Sequence, residues 1–179
     1  MTHKGELVTL RPFESADADV YRAFVNDPEI GRLLDRARPV TRLEHARWYE
    51  QLVTSDTTVP FAIEDPALGF IGLVWLYGIH WRHRRAEVRI LIGDRRAWGG
   101  GRGTDAIEVL TRVAFGPLNL EKLWADVLAT NPRAAAAFAR AGFVREGLLR
   151  GDRVIDGRRL DVLRLGRLRG RRAPGRRSS

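Results

Sequence analysis

The chain has 179 residues, 44% of them hydrophobic, and a formal charge of +9, which is enough length and apolar content for one domain with a buried core. It contains no cysteine, so disulfides, thiolate metal sites and a cysteine nucleophile are excluded. No stretch has the apolar length of a membrane span, and an N-terminus carrying Lys4, Glu6 and Arg11 is no signal peptide; a cytoplasmic protein without a membrane partner is expected.

Glu6–Pro12 alternates as a first strand should. Helical periodicity runs from Ala16 to Val25 and stops near Asn26-Asp27-Pro28. A second helix is predicted from Thr41 to Val53, with Thr41 as cap and Glu44 as its capping-box partner. Strands follow near Val59–Glu64 and Phe70–Gly78, and Glu87–Ile92 is β-branched and apolar enough for a buried strand. Behind a glycine-rich loop, Ala106, Ile107, Leu110, Val113 and Ala114 share one face of a helix spanning Asp105–Phe115. A strand over Lys122–Ala129 leads to a short helix with Asn131 as cap, Pro132 at its first position and Gly142 as its stop. Two terminal strands, Phe143–Arg150 and Arg159–Leu168, are separated by the turn signal Asp156-Gly157. The order β-α-α-β-β-β-α-β-α-β-β is an α/β layer arrangement.

The loop Trp98–Gly99–Gly100–Gly101–Arg102–Gly103–Thr104 has four glycines in five positions, which lets a ligand approach the main chain. Strand, glycine loop and helix N-terminus together make an anion site, read here as a phosphate cradle. A Walker loop needs a lysine that Arg102-Gly103-Thr104 lacks, and a dinucleotide fingerprint needs a glycine where Thr104 stands. The spacing instead resembles the pyrophosphate loop of the GNAT acyltransferases, which bind acetyl-CoA. Arg96-x-x-Gly99-x-Gly101 also satisfies that pattern, but from Trp98 both Thr104 and Ala106 match as well. A second motif, Asn131-x-x-Ala134-x-x-x-Phe138-x-x-x-Gly142-Phe143, is similar to that family over its whole length. Gly69-Phe70-Ile71-Gly72-Leu73 and Arg85-Ala86-Glu87-Val88 resemble its central strands.

The resemblance covers residues 6–168. It implies a GNAT domain over 1–168, an α/β (α+β) fold whose mixed central sheet of about seven strands is flanked by helices. It also implies direct acetyl transfer from acetyl-CoA to an amine, without a metal. The cofactor would be held by Ile90, Leu91, Ile92, Trp98, Gly99, Gly100, Gly101, Arg102, Gly103, Thr104, Asn131 and Phe138. Residues 169–179 are expected to form a disordered arginine tail, because five arginines lie beyond Leu168 and leave +4 on the rest. No aromatic residue interleaves with them, so no nucleic-acid partner is expected.

Acetyl transfer to an amine needs a base, stabilisation of the carbonyl oxygen and a proton for the departing thiolate. Many relatives place a water-linked base where Glu87 stands; the alternative is a strand-end carboxylate paired with Arg82, Arg84 or Arg85. The family's usual acid is a tyrosine at the position of Phe138, and a phenyl ring donates no proton. That role falls to Tyr77 or to a water arranged by Asn131. His80 and His83 precede the Glu87 strand without an apparent third metal ligand.

Asn26-Asp27-Pro28-Glu29-Ile30, followed by Thr41-x-x-x-His45-x-x-Trp48, resembles the branch holding amino-sugar and spermidine acetyltransferases, with the ribosomal-protein N-terminal enzymes close by. Glu146-Gly147-x-x-Arg150 and Gly157-Arg158-x-x-Asp161 are shared across it. His45, Trp48, His80 and Trp81 are the candidate acceptor residues. The cations Arg82, Arg84 and Arg85 beside Trp81 favour an amino sugar or sugar nucleotide. The alternatives are a protein N-terminal amine, a polyamine, and, from a different class, a non-catalytic CoA- or nucleic-acid-binding module. A homodimer through the final strands is an expectation by analogy.

Overall fold

Alternating strands and amphipathic helices assemble into one mixed sheet covered on both faces. The structure, a computed structural model, describes residues 1–34 and 38–170; the tail from 171 onward lies outside the described residues. The strands are β1 (His3–Lys4), β2 (Thr9–Pro12), β3 (Val59–Asp65), β4 (Gly69–His80), β5 (Arg85–Ile92), β6 (Lys122–Leu128), β7 (Val144–Ile155) and β8 (Arg158–Leu168). The helices are α1 (Ser15–Val25), α2 (Pro28–Leu33), α3 (Arg42–Thr54), α4 (Arg102–Phe115) and α5 (Pro132–Arg140), with a 3-10 turn at Arg95–Ala97. The sheet order is β1-β2-β3-β4-β5-β6-β8-β7. Among the described residues, only β5 and β6 pair in parallel.

Successive residues of a strand serve opposite layers. Val74, Leu76 and Val88 pack with Ile107 and Leu110 of α4, whereas Leu73 and Leu91 pack with Tyr21 of α1 and Leu52 of α3. Ile107 and Leu110 are fully buried, and each contributes about 1.5–3 kcal/mol by leaving water.

Eight strands replace about seven because a two-residue strand, His3–Lys4, pairs with Leu10 and Thr9. The first long strand starts at Thr9 and not at Glu6, since the N–H groups of Glu6, Leu7 and Val8 donate to the Asp105 carboxylate at 3.1, 2.7 and 2.9 Å. Asn26-Asp27-Pro28 ends α1 as expected, but Asp27 then caps α2, accepting from the N–H groups of Glu29 and Ile30. The β4 strand runs past Gly78, whose φ of +59° accommodates a register shift between Tyr77 and His80. Thr41 and Glu44 form the predicted capping box. Asp156 and Gly157, at φ +50° and +75°, make the predicted hairpin turn.

Candidate active site

The parallel pairing of β5 and β6 covers three positions only, ending at Glu87 opposite Trp124. Beyond them β5 continues to Ile92 and β6 to Leu128, so the sheet forks. The N-terminus of α4 stands beside the open end. Gly101 is its N-cap in the left-handed region at φ +84°, and no side chain caps the helix. Among the described residues, the N–H groups of Gly99 to Thr104 have no hydrogen-bond partner; the first bonded one is that of Asp105, to the Gly101 carbonyl at 3.0 Å. A row of free N–H groups at the positive end of a 14-residue helix attracts an anion.

Local contacts hold this loop in place. The Trp98 indole N–H donates to the Ile92 carbonyl at 2.8 Å, and the Arg133 guanidinium lies 3.9 Å above the Trp98 ring. Arg102 donates from Nε to the buried Asp65 at 2.5 Å, and Asp65 also accepts from the N–H groups of Ala67 and Leu68. Those bonds, Arg102 first, hold the Asp65 carboxyl below the usual carboxylate range. The Arg102 side chain is thereby committed to the loop's own scaffold. At the open end of β5 is a cavity of about 210 Å³ lined by Ile90, Leu91, Ile92, Trp98, Gly99, Gly101, Arg102, Gly103, Thr104, Asn131 and Phe138. Gly100, also expected there, is not on its wall. Thr104 Oγ1 is buried with no hydrogen-bond partner. An orphan hydroxyl beside unpaired N–H groups is a donor set that fits a phosphate-bearing cofactor.

Asn131 caps α5, its Oδ1 accepting from the Ala134 N–H at 3.1 Å. Phe138 is buried edge-to-face against Phe143 at 5.1 Å, closing the cavity floor with carbon. Glu87 and Tyr77 lie outside the cavity wall but directly opposite each other on β5 and β4, and so on one face of the sheet. The partner of Glu87 is Arg89, at 2.8 Å, and not Arg82, Arg84 or Arg85. Next along that face, Arg164 grips Asp126 through two bonds of 2.8 and 2.7 Å and lies 4.3 Å over Trp124.

The four expected acceptor residues are placed elsewhere. His45 is 5% exposed, stacked with Trp48 at 4.9 Å and Tyr21 at 6.0 Å between α3 and α1; both side chains fill the helical layer. His80 and Trp81 sit at the β4–β5 hairpin, the end of β5 away from the fork. There His80 stacks on His83 at 4.2 Å, and Trp81 donates to the Asp56 carbonyl at 3.0 Å. Conversely, Ile30 and Leu34 of the α2 region and Arg133, Ala134, Ala137 and Arg140 of α5 line the cavity unannounced. The signal for the α5 group was present, because Arg133, Ala137 and Arg140 share a face at helical spacing.

A forked mixed sheet with an uncapped helix at its mouth offers free N–H groups to an anionic ligand. Comparison with known proteins gives the class its name. The profile of the acetyltransferase (GNAT) domain matches residues 8–144, and the chain belongs to the GNAT acetyltransferase family. It is 29% identical over 136 residues to the uncharacterized N-acetyltransferase p20 of Bacillus licheniformis, covering 70% of this chain and 72% of that one. It is 33% identical over 86 residues to the spermidine N(1)-acetyltransferase of Vibrio cholerae, covering 48% and 49% of the two chains. The crystal structure of a Vibrio cholerae spermidine N-acetyltransferase with CoA and spermine superposes with a TM-score of 0.82 at 31% identity, over 90% of this chain and 95% of that one. A dodecameric form of the Vibrio cholerae enzyme gives 0.76 at 30% identity, over 90% and 94%. The protein is thus an acyltransferase, from a family that uses acetyl-CoA. No helix among the described residues is long and apolar enough to cross a membrane.

Proposed function

We propose that this protein acetylates the primary amine of a small molecule using acetyl-CoA, and that the acceptor is an alkyl polyamine. The observation that carries the cofactor half is the uncapped α4 N-terminus beside the buried, partnerless Thr104 hydroxyl. The acceptor half rests on the spermidine acetyltransferases among the relatives, which favour a polyamine over the amino sugar expected from the sequence. An amino sugar is the second reading, because the guanidinium groups of Arg89 and Arg164 share the sheet face with Glu87.

The N–H groups of Gly99 to Thr104 and the Thr104 hydroxyl would hold the pyrophosphate, with Arg133 and Arg140 adding positive charge. Once bound, the cofactor supplies a thioester whose carbonyl carbon accepts the amine. Glu87 is assigned as the base that takes the proton of the incoming ammonium. Phe138 has no proton to give, so Tyr77, across the strand pair from Glu87, is assigned as the group that returns one to the leaving thiolate. Asn131 keeps an Nδ2 amide without a partner among the described residues, available to the cofactor arm or an ordered water.

The test is acetyl-CoA-dependent thiol release with spermidine, amino-sugar nucleotides and peptides with free N-termini as acceptors. Release with spermidine is expected. Release confined to amino sugars or to peptides moves the acceptor to that class. Silence throughout, with acetyl-CoA still raising the melting temperature, favours a binding module over an enzyme. Silence without that rise removes the cradle.

A further inference from the structure

Glu87 and Arg89 sit two apart on β5 and so point to the same side of the sheet. Their side chains meet at 2.8 Å, from Arg89 Nη2 to Glu87 Oε2. The same guanidinium lies 3.7 Å above the ring of Tyr77, the residue directly opposite Glu87 in the β4–β5 register. One planar cation therefore touches both groups assigned to proton transfer. Its position is fixed on two sides, by the ring beneath and the carboxylate beside it. The Glu87 side chain is 12% exposed and that of Arg89 41%.

We infer that Arg89 is a positioning residue for Glu87, holding its carboxylate oriented beside Tyr77. This rests on the reading of Glu87 as the base. A carboxylate that is held presents its oxygens to an incoming group in one direction, where a freely rotating one presents them in many. A charge-assisted bond from a planar guanidinium also restricts carboxylate rotation more than a lysine does. The other charged and titratable groups facing Glu87 do not duplicate this contact. Tyr77 on β4 meets the same guanidinium through its ring, and Arg85, on the same side of β5, has no bond to Glu87 among the described residues. Asp126 on β6 is neutralised by its double bond pair with Arg164. Arg164 on β8 acts on Glu87 through space, with its fork occupied by Asp126. No charged group of α1 or α3 has a recorded bond to Glu87 among the described residues.

The experiment follows the Glu87 carboxyl by NMR at one fixed pH in protein labelled with carbon-13 glutamate, the resonance being assigned with Glu87→Gln, and measures kcat and KM for spermidine beside it. In Arg89→Met the resonance should change position and kcat should fall about tenfold with KM for acetyl-CoA unchanged, and Arg89→Lys should recover part of both. An unmoved resonance in Arg89→Met, or an unchanged kcat where Glu87→Gln loses turnover, overturns the inference and leaves Arg89 a packing residue. Should Arg89→Met fail to fold, Tyr77→Leu removes the ring beneath the guanidinium, and a smaller change of the resonance is expected; no change overturns the inference. Undiminished turnover by Glu87→Gln refutes Glu87 as base while leaving the NMR outcome readable on its own.

Discussion

Thr104 carries a buried hydroxyl that nothing in the protein satisfies, and an unmet buried polar group costs stability unless a ligand completes it. Thr104→Val should therefore raise the melting temperature slightly, by the equivalent of about 1 kcal/mol, while weakening acetyl-CoA binding about tenfold. Calorimetry of the free protein and titration with cofactor read the two signs separately. A second prediction concerns Glu87: removing a general base costs about 10²–10⁴ in kcat, so Glu87→Gln should lose that much with acetyl-CoA affinity retained. Steady-state kinetics and direct binding check it. At this scale the sequence was informative about residue types but not about partners. Arg82, Arg84 and Arg85 crowd the start of β5, and strand alternation puts both Arg85 and Arg89 on the side of Glu87, so the linear chain does not show that Arg89 is the partner. The one-turn spacing of His45 and Trp48 is equally the spacing of a packed helix face, and contact with Tyr21 is not visible in a linear chain.

Elements with a local cause were the legible ones. Asp156-Gly157 demands a tight turn, Thr41 and Glu44 cap each other, and the apolar period of α4 survives from sequence to packed core. The α2 helix escaped because Asp27-Pro28 ends one helix and begins another; Ile30, 1% exposed in the second core cluster, helps hold it by a tertiary contact. Likewise, β1 is too short to show a period. The segment that follows it is anchored by Asp105, ninety-odd residues away, which accepts the backbone N–H groups of Glu6, Leu7 and Val8. Asp105→Ala should cost about 3 kcal/mol, seen as a lowered urea midpoint and as early hydrogen exchange at Glu6, Leu7 and Val8. Gly101→Ala would put a Cβ on a residue at φ +84°, 3.3 Å from Leu7. About 1–2 kcal/mol of strain and a looser cradle should follow, measurable as weaker cofactor binding.

For the molecule as a whole, acidic residues held by arginines set the response to acid. Burial pushes the Asp17 carboxyl up, but bonds from Arg11 and the Glu14 N–H outweigh it, and the net displacement is downward. The carboxyl groups of Asp65, beside Arg102, and Asp94, beside Arg96, are also lowered. A lowered folded value means stabilisation that is complete above the unfolded value of about 4 and is lost as pH falls through the folded value. The melting temperature should hold between about pH 7 and 5 and then decline below about 4; scanning calorimetry across that range is the check. The fork has a consequence of another kind. With three register positions joining β5 to β6, the sheet is two plates sharing a short seam, β1 to β5 on one side and β6 to β8 on the other. Whatever lodges between the plates acts as mortar, so amides on the facing edges of Val88–Ile92 and Ala125–Leu128 should exchange slowly only when the gap is filled. The two plates already share one core with α4, and a filled gap would add a second join.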